Sequence, residues 1–182
     1  EYSTYFDAIG YSWKLDALNF DISNEEIQPV GITSNNDTFS ICGFDTGRNV
    51  FQYSESGNYN SFTFSANGEV ATLGGITYDG SSFWISSQTT QMVYEYNDLG
   101  VYQSVSHDIS GAGATPRGME WDGTYFWVVG GNNERIYQFD SSWNIQGFSF
   151  DVSSEDSFPN GIAWDSSNFW VLGSTNDYIY QY

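Results

Sequence analysis

Gly161-Ile162-Ala163-Trp164-Asp165-Ser166-Ser167-Asn168-Phe169-Trp170-Val171 is the fourth appearance of one pattern in this chain, and the pattern decides the fold. Earlier versions open at Gly31-Ile32, Gly75-Ile76 and Gly118-Met119, so the units follow one another at spacings of 44, 43 and 43 residues. Eight residues after each glycine stands Phe39, Phe83, Phe126 or Phe169, followed in the last three units by Trp84, Trp127 and Trp170. Each unit closes alike, on Val50-Phe51-Gln52-Tyr53, Val93-Tyr94-Glu95-Tyr96, Ile136-Tyr137-Gln138-Phe139 and Ile179-Tyr180-Gln181-Tyr182. Eleven residues before each glycine sits Phe20, Phe64, His107 or Phe150. A repeat of this length is the mark of an array of equal supersecondary units, each burying its apolar face on its neighbours.

Between the anchors, apolar and polar residues alternate and are broken by turn pairs such as Asp79-Gly80 and Asp122-Gly123, where glycine accepts the positive φ of a tight hairpin. Each unit reads as four short strands: Gly-Ile-x-Tyr/Trp, Phe-Trp-Val/Ile, Ile/Val-Tyr-x-Tyr and Phe-Asp-Ile/Val. No segment has a helical period. Four strands in about 43 residues match a propeller blade, so the expected fold is an all-β, four-bladed β-propeller in a single domain, residues 1–182. The approximate units are 15–53, 54–96, 97–139 and 140–182, after an extension of residues 1–14. A fourth-strand pattern at Leu15 to Ile22 precedes the first unit, and the last unit stops after its third strand, so the N-terminal strand is expected to close the ring and cover two edges. Tyr2, Ser3, Thr4, Tyr5, Phe6 and Asp7 are left over as a spare strand, either packed on its own ring or offered to a neighbouring subunit.

Four Lys and Arg stand against 23 Asp and Glu, a net charge of −19, which repels nucleic acid and anionic membrane surfaces. Cys42 is the sole cysteine and lies in a strand pattern, so it is expected as a small buried apolar residue. No apolar run reaches the ~20 residues needed to span a bilayer. The chain opens at Glu1, as a mature secreted form would.

The unit Phe150-Asp151-Val152-Ser153-Ser154-Glu155-Asp156-Ser157-Phe158-Pro159-Asn160-Gly161-Ile162-Ala163-Trp164-Asp165, with Phe169-Trp170-Val171-Leu172-Gly173 and Tyr178-Ile179-Tyr180-Gln181-Tyr182, resembles repeats of secreted bacterial and phage-borne β-propellers. It is also similar to the broader NHL and streptogramin-lyase group. The resemblance runs from about residue 15 to the end. It implies the fold and an extracellular, cell-surface or virion-associated setting. Propellers of these groups include enzymes, lectin-like binders and structural modules, so no single role transfers.

Candidate chemistry is sparse. His107, the only histidine, shares a column with Phe20, Phe64 and Phe150, which reads as packing rather than as a general base. Asp79, Asp122 and Asp165 share a column in hairpin turns, where aspartate accepts bonds from its own turn. Asp21, Asp108 and Asp151 repeat as a second structural column. No Asp-x-Asx-x-Asx-Gly loop marks a calcium site, although Asn35-Asn36-Asp37 and Asn132-Asn133-Glu134 carry oxygen ligands; no cofactor is expected, and calcium is the one metal left open.

In propeller topology the loops after the second and fourth strands share one face. That face is expected to gather Glu25, Glu26, Asp45, Arg48, Arg117, Asn132, Asn133, Arg135, Asp156, Asn176 and Asp177, a mixed polar surface suited to a protein or a sugar. Tyr11, Trp13, Tyr59, Tyr102 and Trp143 fall outside the main columns and are the aromatic candidates for a partner surface. The sequence therefore leads to a non-catalytic extracellular module for assembly, adhesion or protein interaction. A carbohydrate-binding propeller and a lyase-like enzyme are the alternatives. A protein partner or self-assembly is expected, with a glycan as the other ligand, and neither nucleic acid nor membrane insertion.

Overall fold

A computed structural model describes residues 20–182 apart from residues 27, 36, 45, 46 and 114. Among the described residues, fifteen strands in four antiparallel sheets make four blades of a β-propeller. Blade 1 holds β1 (Pro29–Asn35), β2 (Thr38–Gly43), β3 (Asn49–Ser54) and β4 (Tyr59–Ser65). Blade 2 holds β5 (Leu73–Tyr78), β6 (Ser82–Ser87), β7 (Met92–Asn97) and β8 (Tyr102–Asp108). Blade 3 holds β9 (Pro116–Trp121), β10 (Phe126–Gly130), β11 (Arg135–Phe139) and β12 (Ile145–Asp151). Blade 4 holds β13 (Pro159–Trp164), β14 (Phe169–Gly173) and β15 (Ile179–Gln181). In every sheet the strands follow chain order from the innermost outward. Each of the fourth strands β4, β8 and β12 begins five residues ahead of Phe64, His107 or Phe150, the column that marked it in the sequence, because the pairing extends back to the hairpin.

Burial follows the layering. The second strands β6 and β10 are buried along their whole length, since a middle strand has a neighbouring blade on both faces. The fourth strands β4, β8 and β12 carry many exposed residues and face water. Phe64 packs on Phe83 and Tyr96 of the next blade, and Phe150 on Phe169 and Tyr182, so the fourth-strand phenylalanine joins successive blades. Cys42 is fully buried beside these contacts, and burial pushes its thiol up to about 12.

The aspartate column of the first hairpins forms a staple. Asp79 Oδ1 accepts the backbone N–H groups of Ser81 and Ser82, and its Oδ2 accepts Trp84 Nε1–H at 2.7 Å. Asp122 does the same for Thr124, Tyr125 and Trp127 (2.6 Å), and Asp165 for Ser167, Asn168 and Trp170 (2.7 Å). One carboxylate thus fixes a turn and the large ring beside it, through charge-assisted bonds. Blade 1 has Asn35 and Ser40 at these positions and lacks the staple.

Innermost strands β1, β5, β9 and β13 lie side by side in that order around a central cavity of about 350 Å³. Three seams use one device: each blade's innermost glycine admits the next blade's backbone. A Cβ on Gly31 would stand 3.2 Å from Ile76, one on Gly75 2.6 Å from the Arg117 carbonyl, and one on Gly118 2.7 Å from the Asn160 carbonyl. Side chains bridge the first and third of these seams. Thr33 Oγ1 accepts the Tyr78 N–H at 3.1 Å, and Glu120, two column-mates on, accepts the Trp164 N–H.

Candidate functional site

The fourth seam, between β13 and β1, is built differently. Gly161 would meet only Leu172 of its own blade, and Ile32, the residue equivalent to Ile76, is 58% exposed where Ile76 is 1% exposed. Ala163 stands in the column of Thr33, Thr77 and Glu120, and its methyl group can accept no bond from a following blade. Phe20 nevertheless packs on Tyr53 of blade 1 with ring centroids 5.6 Å apart, as Phe64 packs on Tyr96 at 5.4 Å and Phe150 on Tyr182 at 5.1 Å. It occupies the place of a fourth-strand residue from a preceding blade. The closing strand expected at Leu15 to Ile22 falls largely outside the described residues, as do Tyr2, Ser3, Thr4, Tyr5, Phe6 and Asp7, Tyr11 and Trp13.

The outer edge of β15 has no strand beside it among the described residues, and Ile179 and Tyr178 are 66% and 65% exposed. Between blades 3 and 4 lies a groove of about 400 Å³ lined by Trp127, Phe148, Phe150, Phe169 and Tyr182. Arg117 lies over the Phe158 ring, 3.7 Å from its centroid, and donates at 3.2 Å to the Oδ1 of Asn160, a residue that lines the central cavity. Partial burial lowers the Arg117 guanidinium from its ordinary value.

The polar residues expected on one face divide into braces and free groups. Asp156 is buried against Gly173 and accepts the N–H groups of Phe158, Thr175 and Asn176, tying the loop before β13 to the loop before β15. Glu26 is its counterpart in blade 1, buried against Gly43 and bonded to the Gln28 N–H. Asn133 fills the space beside Gly113 and Gly130 and donates to Tyr137 Oη at 2.6 Å. Glu25 accepts the Tyr53 hydroxyl, Arg48 bonds Asn67, and Asn176 donates to the Glu155 carbonyl. Arg135 pairs with Asp151 at 2.9 Å along the outer side of blade 3, away from Arg117. Asn132 and Asp177 are exposed, and Asp45 lies outside the described residues. Glu26, Asn133 and Asp156 are thus spent on holding loops in place.

The aromatic candidates are corrected in part. Trp143 is 3% exposed inside the seam between blades 2 and 3, and Tyr59 and Tyr102 pack on Tyr53 and Tyr96. The sequence missed them as core because hairpin residues sit outside the glycine-based columns. His107 lies on β8 opposite Val93 with its ring beside Trp84, as its column required. Among the described residues no three His, Cys, Asp or Glu side chains converge into a metal-sized cluster.

With this geometry in hand, the chain compares with solved structures as follows. It is similar to the glutaminyl cyclase of Myxococcus xanthus, with a TM-score of 0.68 at 14% identity, over 83% of this chain and 70% of that one. It is similar to virginiamycin B lyase from Staphylococcus aureus, with a TM-score of 0.56 at 18% identity, over 85% of this chain and 55% of that one. A third similarity is to a chain of a nidogen–laminin complex, with a TM-score of 0.59 at 13% identity, over 80% of this chain and 57% of that one. These similarities show the fold, a β-propeller. This chain spans little more than half of the lyase and of the nidogen–laminin chain. No family model and no curated protein matches it in sequence. The expectation of a protein without catalysis is corrected by these neighbours: the fold it shares carries a cyclase and a lyase, so a propeller of this kind is no argument against an enzyme.

Proposed function

We propose that the protein is an extracellular interaction and assembly module that binds a protein chain along the open side of blade 4. One observation carries this reading: Ile32, Phe158, Leu172, Tyr178 and Ile179, five of the large apolar side chains left exposed, all lie on blade 4 or on the strand of blade 1 that borders the open seam. Clustered apolar exposure beside a strand edge that is unpaired among the described residues is what strand-adding partners use, backbone bonds giving affinity and the apolar pockets giving specificity. A similar fold in a nidogen–laminin complex supports a protein-binding use of such propellers. The strong negative charge keeps the remaining surface soluble, leaving this side as the adhesive one.

Replacing Ile179 or Ile32 by lysine tests the reading by light scattering and thermal unfolding. Both residues are exposed, so the fold should keep its melting temperature within about 2 °C, while assemblies of the unmodified chain disappear. Assemblies that survive both substitutions would rule out this side as the interface.

A further inference from the structure

The seam between blades 3 and 4 carries residues that the other blades do not repeat. Arg117, immediately before an innermost glycine, stands in the column of Val30, Gly74 and Asn160. Phe158 stands in the column of Gln28, Thr72 and Thr115, and Gly131 takes the place held by Phe44, Gln88 and Ser174. Residues shared by all blades answer the common packing problem, so those found in one blade alone are where a specific task is to be sought.

These residues meet around one guanidinium. The Phe158 ring lies against it with the centroid 3.7 Å away, and Nη1 donates to Asn160 Oδ1 at 3.2 Å, which fixes the plane of the group. A Cβ on Gly131 would strike Arg117 Nε, so the glycine makes the room for the side chain. Nε itself is buried and finds no acceptor among the described residues. Arg135 pairs with Asp151, whereas no carboxylate among the described residues pairs with Arg117, although the chain carries 23 Asp and Glu. A half-buried cation held in a fixed plane and left without a carboxylate is set to receive one from outside.

Asn160 links this guanidinium to the central cavity of about 350 Å³: it is the one polar side chain among the described residues that line it. The wall beside it is apolar, formed by Met119, Ile162 and Leu172. An apolar cavity of that size with a placed polar group at its side is the form of a small-molecule site. We propose that the protein binds a small monocarboxylate with an apolar body, its carboxylate on the Arg117 guanidinium beside Asn160 and its apolar body in the central cavity against Met119, Ile162 and Leu172. The net charge of −19 sets the ligand's charge: the chain as a whole repels a polyanion, whereas one guanidinium matches one carboxylate. Because Phe158 and Asn160 hold the guanidinium plane, the carboxylate meets a preset fork rather than a mobile side chain. This site goes beyond the assembly reading and does not depend on it.

The test is an NMR titration of the unmodified chain with phenylpropionate as the probe, against phenylpropionamide, acetate and inorganic phosphate. The expected result is saturable binding of phenylpropionate, weaker by roughly tenfold or more for each of the other three. No binding of the acid, or equal binding of acid and amide, would overturn the site without any variant. Arg117→Met should weaken phenylpropionate by roughly tenfold or more and leave the amide unchanged; retained affinity for the acid would overturn Arg117 as the partner of the carboxylate. Arg117→Lys, which keeps the charge and loses the planar fork, gives the same comparison where Arg117→Met does not fold. Leu172→Trp, at a 44% exposed position on the cavity wall, should also weaken the acid, and unchanged affinity would overturn the cavity as the seat of the apolar body. None of these readouts turns on whether the chain assembles.

Discussion

Trp143 lies face to face with Phe126, ring centroids 4.0 Å apart and planes 13° apart, from a backbone position where blades 1 and 2 carry glycine. Gly57 and Gly100 make room for Phe20 and Phe64, while the Trp143 ring fills the seam beside the smaller His107. Its backbone holds φ at 61°, which costs a non-glycine residue about 1 kcal/mol or more, and burial of the indole offsets it.

Replacing Trp143 with alanine should lower unfolding stability by ~3–5 kcal/mol, the range for emptying a buried aromatic site. Denaturant titration checks this, and a loss under ~1 kcal/mol would show that the seam collapses around the gap.

The staple predicts a second loss. Asp122→Ala strands the Trp127 indole N–H and the N–H groups of Thr124 and Tyr125, at a cost of ~2–3 kcal/mol, while Asn35→Ala in staple-free blade 1 should cost less. Paired melting curves of the two variants measure the difference.

Seam asymmetry gives a contrast between two glycines. A methyl group on Gly118 would press to 2.7 Å from the Asn160 carbonyl, so Gly118→Ala should cost ~1–3 kcal/mol. On Gly161 it would meet Leu172 at 3.4 Å, and Gly161→Ala should be neutral or stabilising by ~0.5 kcal/mol in the dilute chain. Equal losses would mean that the fourth seam is packed like the other three.

How much of this was legible in the sequence follows from what repeats. The glycine, phenylalanine, tryptophan and aspartate columns recur because each blade solves the same packing problem, and they fixed the blade, its strand order and the turn role of Asp79, Asp122 and Asp165. What differs between blades was harder to read. Glu26 and Asp156 look like surface acids because nothing local marks the glycine each is buried against. The open seam had one written signal, Ala163 in a column of Thr33, Thr77 and Glu120, and its meaning needed the bonds that Thr33 and Glu120 make. Trp143 escaped because a hairpin tip joins the core only through a neighbouring blade.

Glu120 makes the stability sensitive to pH. Burial between blades 3 and 4 pushes its carboxyl up to about 7; the Trp164 N–H works against this and the Asp122 charge adds to it. The folded state then holds a proton that the unfolded chain releases near 4.5. Its contribution is complete below that pH and is lost as the pH rises through about 7. Glu120→Gln should flatten this decline and gain ~1–3 kcal/mol at pH 8, taking about 1.4 kcal/mol per pKa unit less a share for its partial exposure. Urea titrations of both proteins at pH 4.5, 6 and 8 give the comparison, and parallel curves would assign the pH dependence elsewhere.

The most direct measurement of the central claim is the mass of the unmodified chain by light scattering over a thousandfold range of concentration. The open blade 4 predicts assemblies of two or more chains that dissociate on dilution. A single-chain mass throughout, together with Ile32 and Ile179 shielded in surface labelling, would contradict it, because the chain would then have covered its own open side.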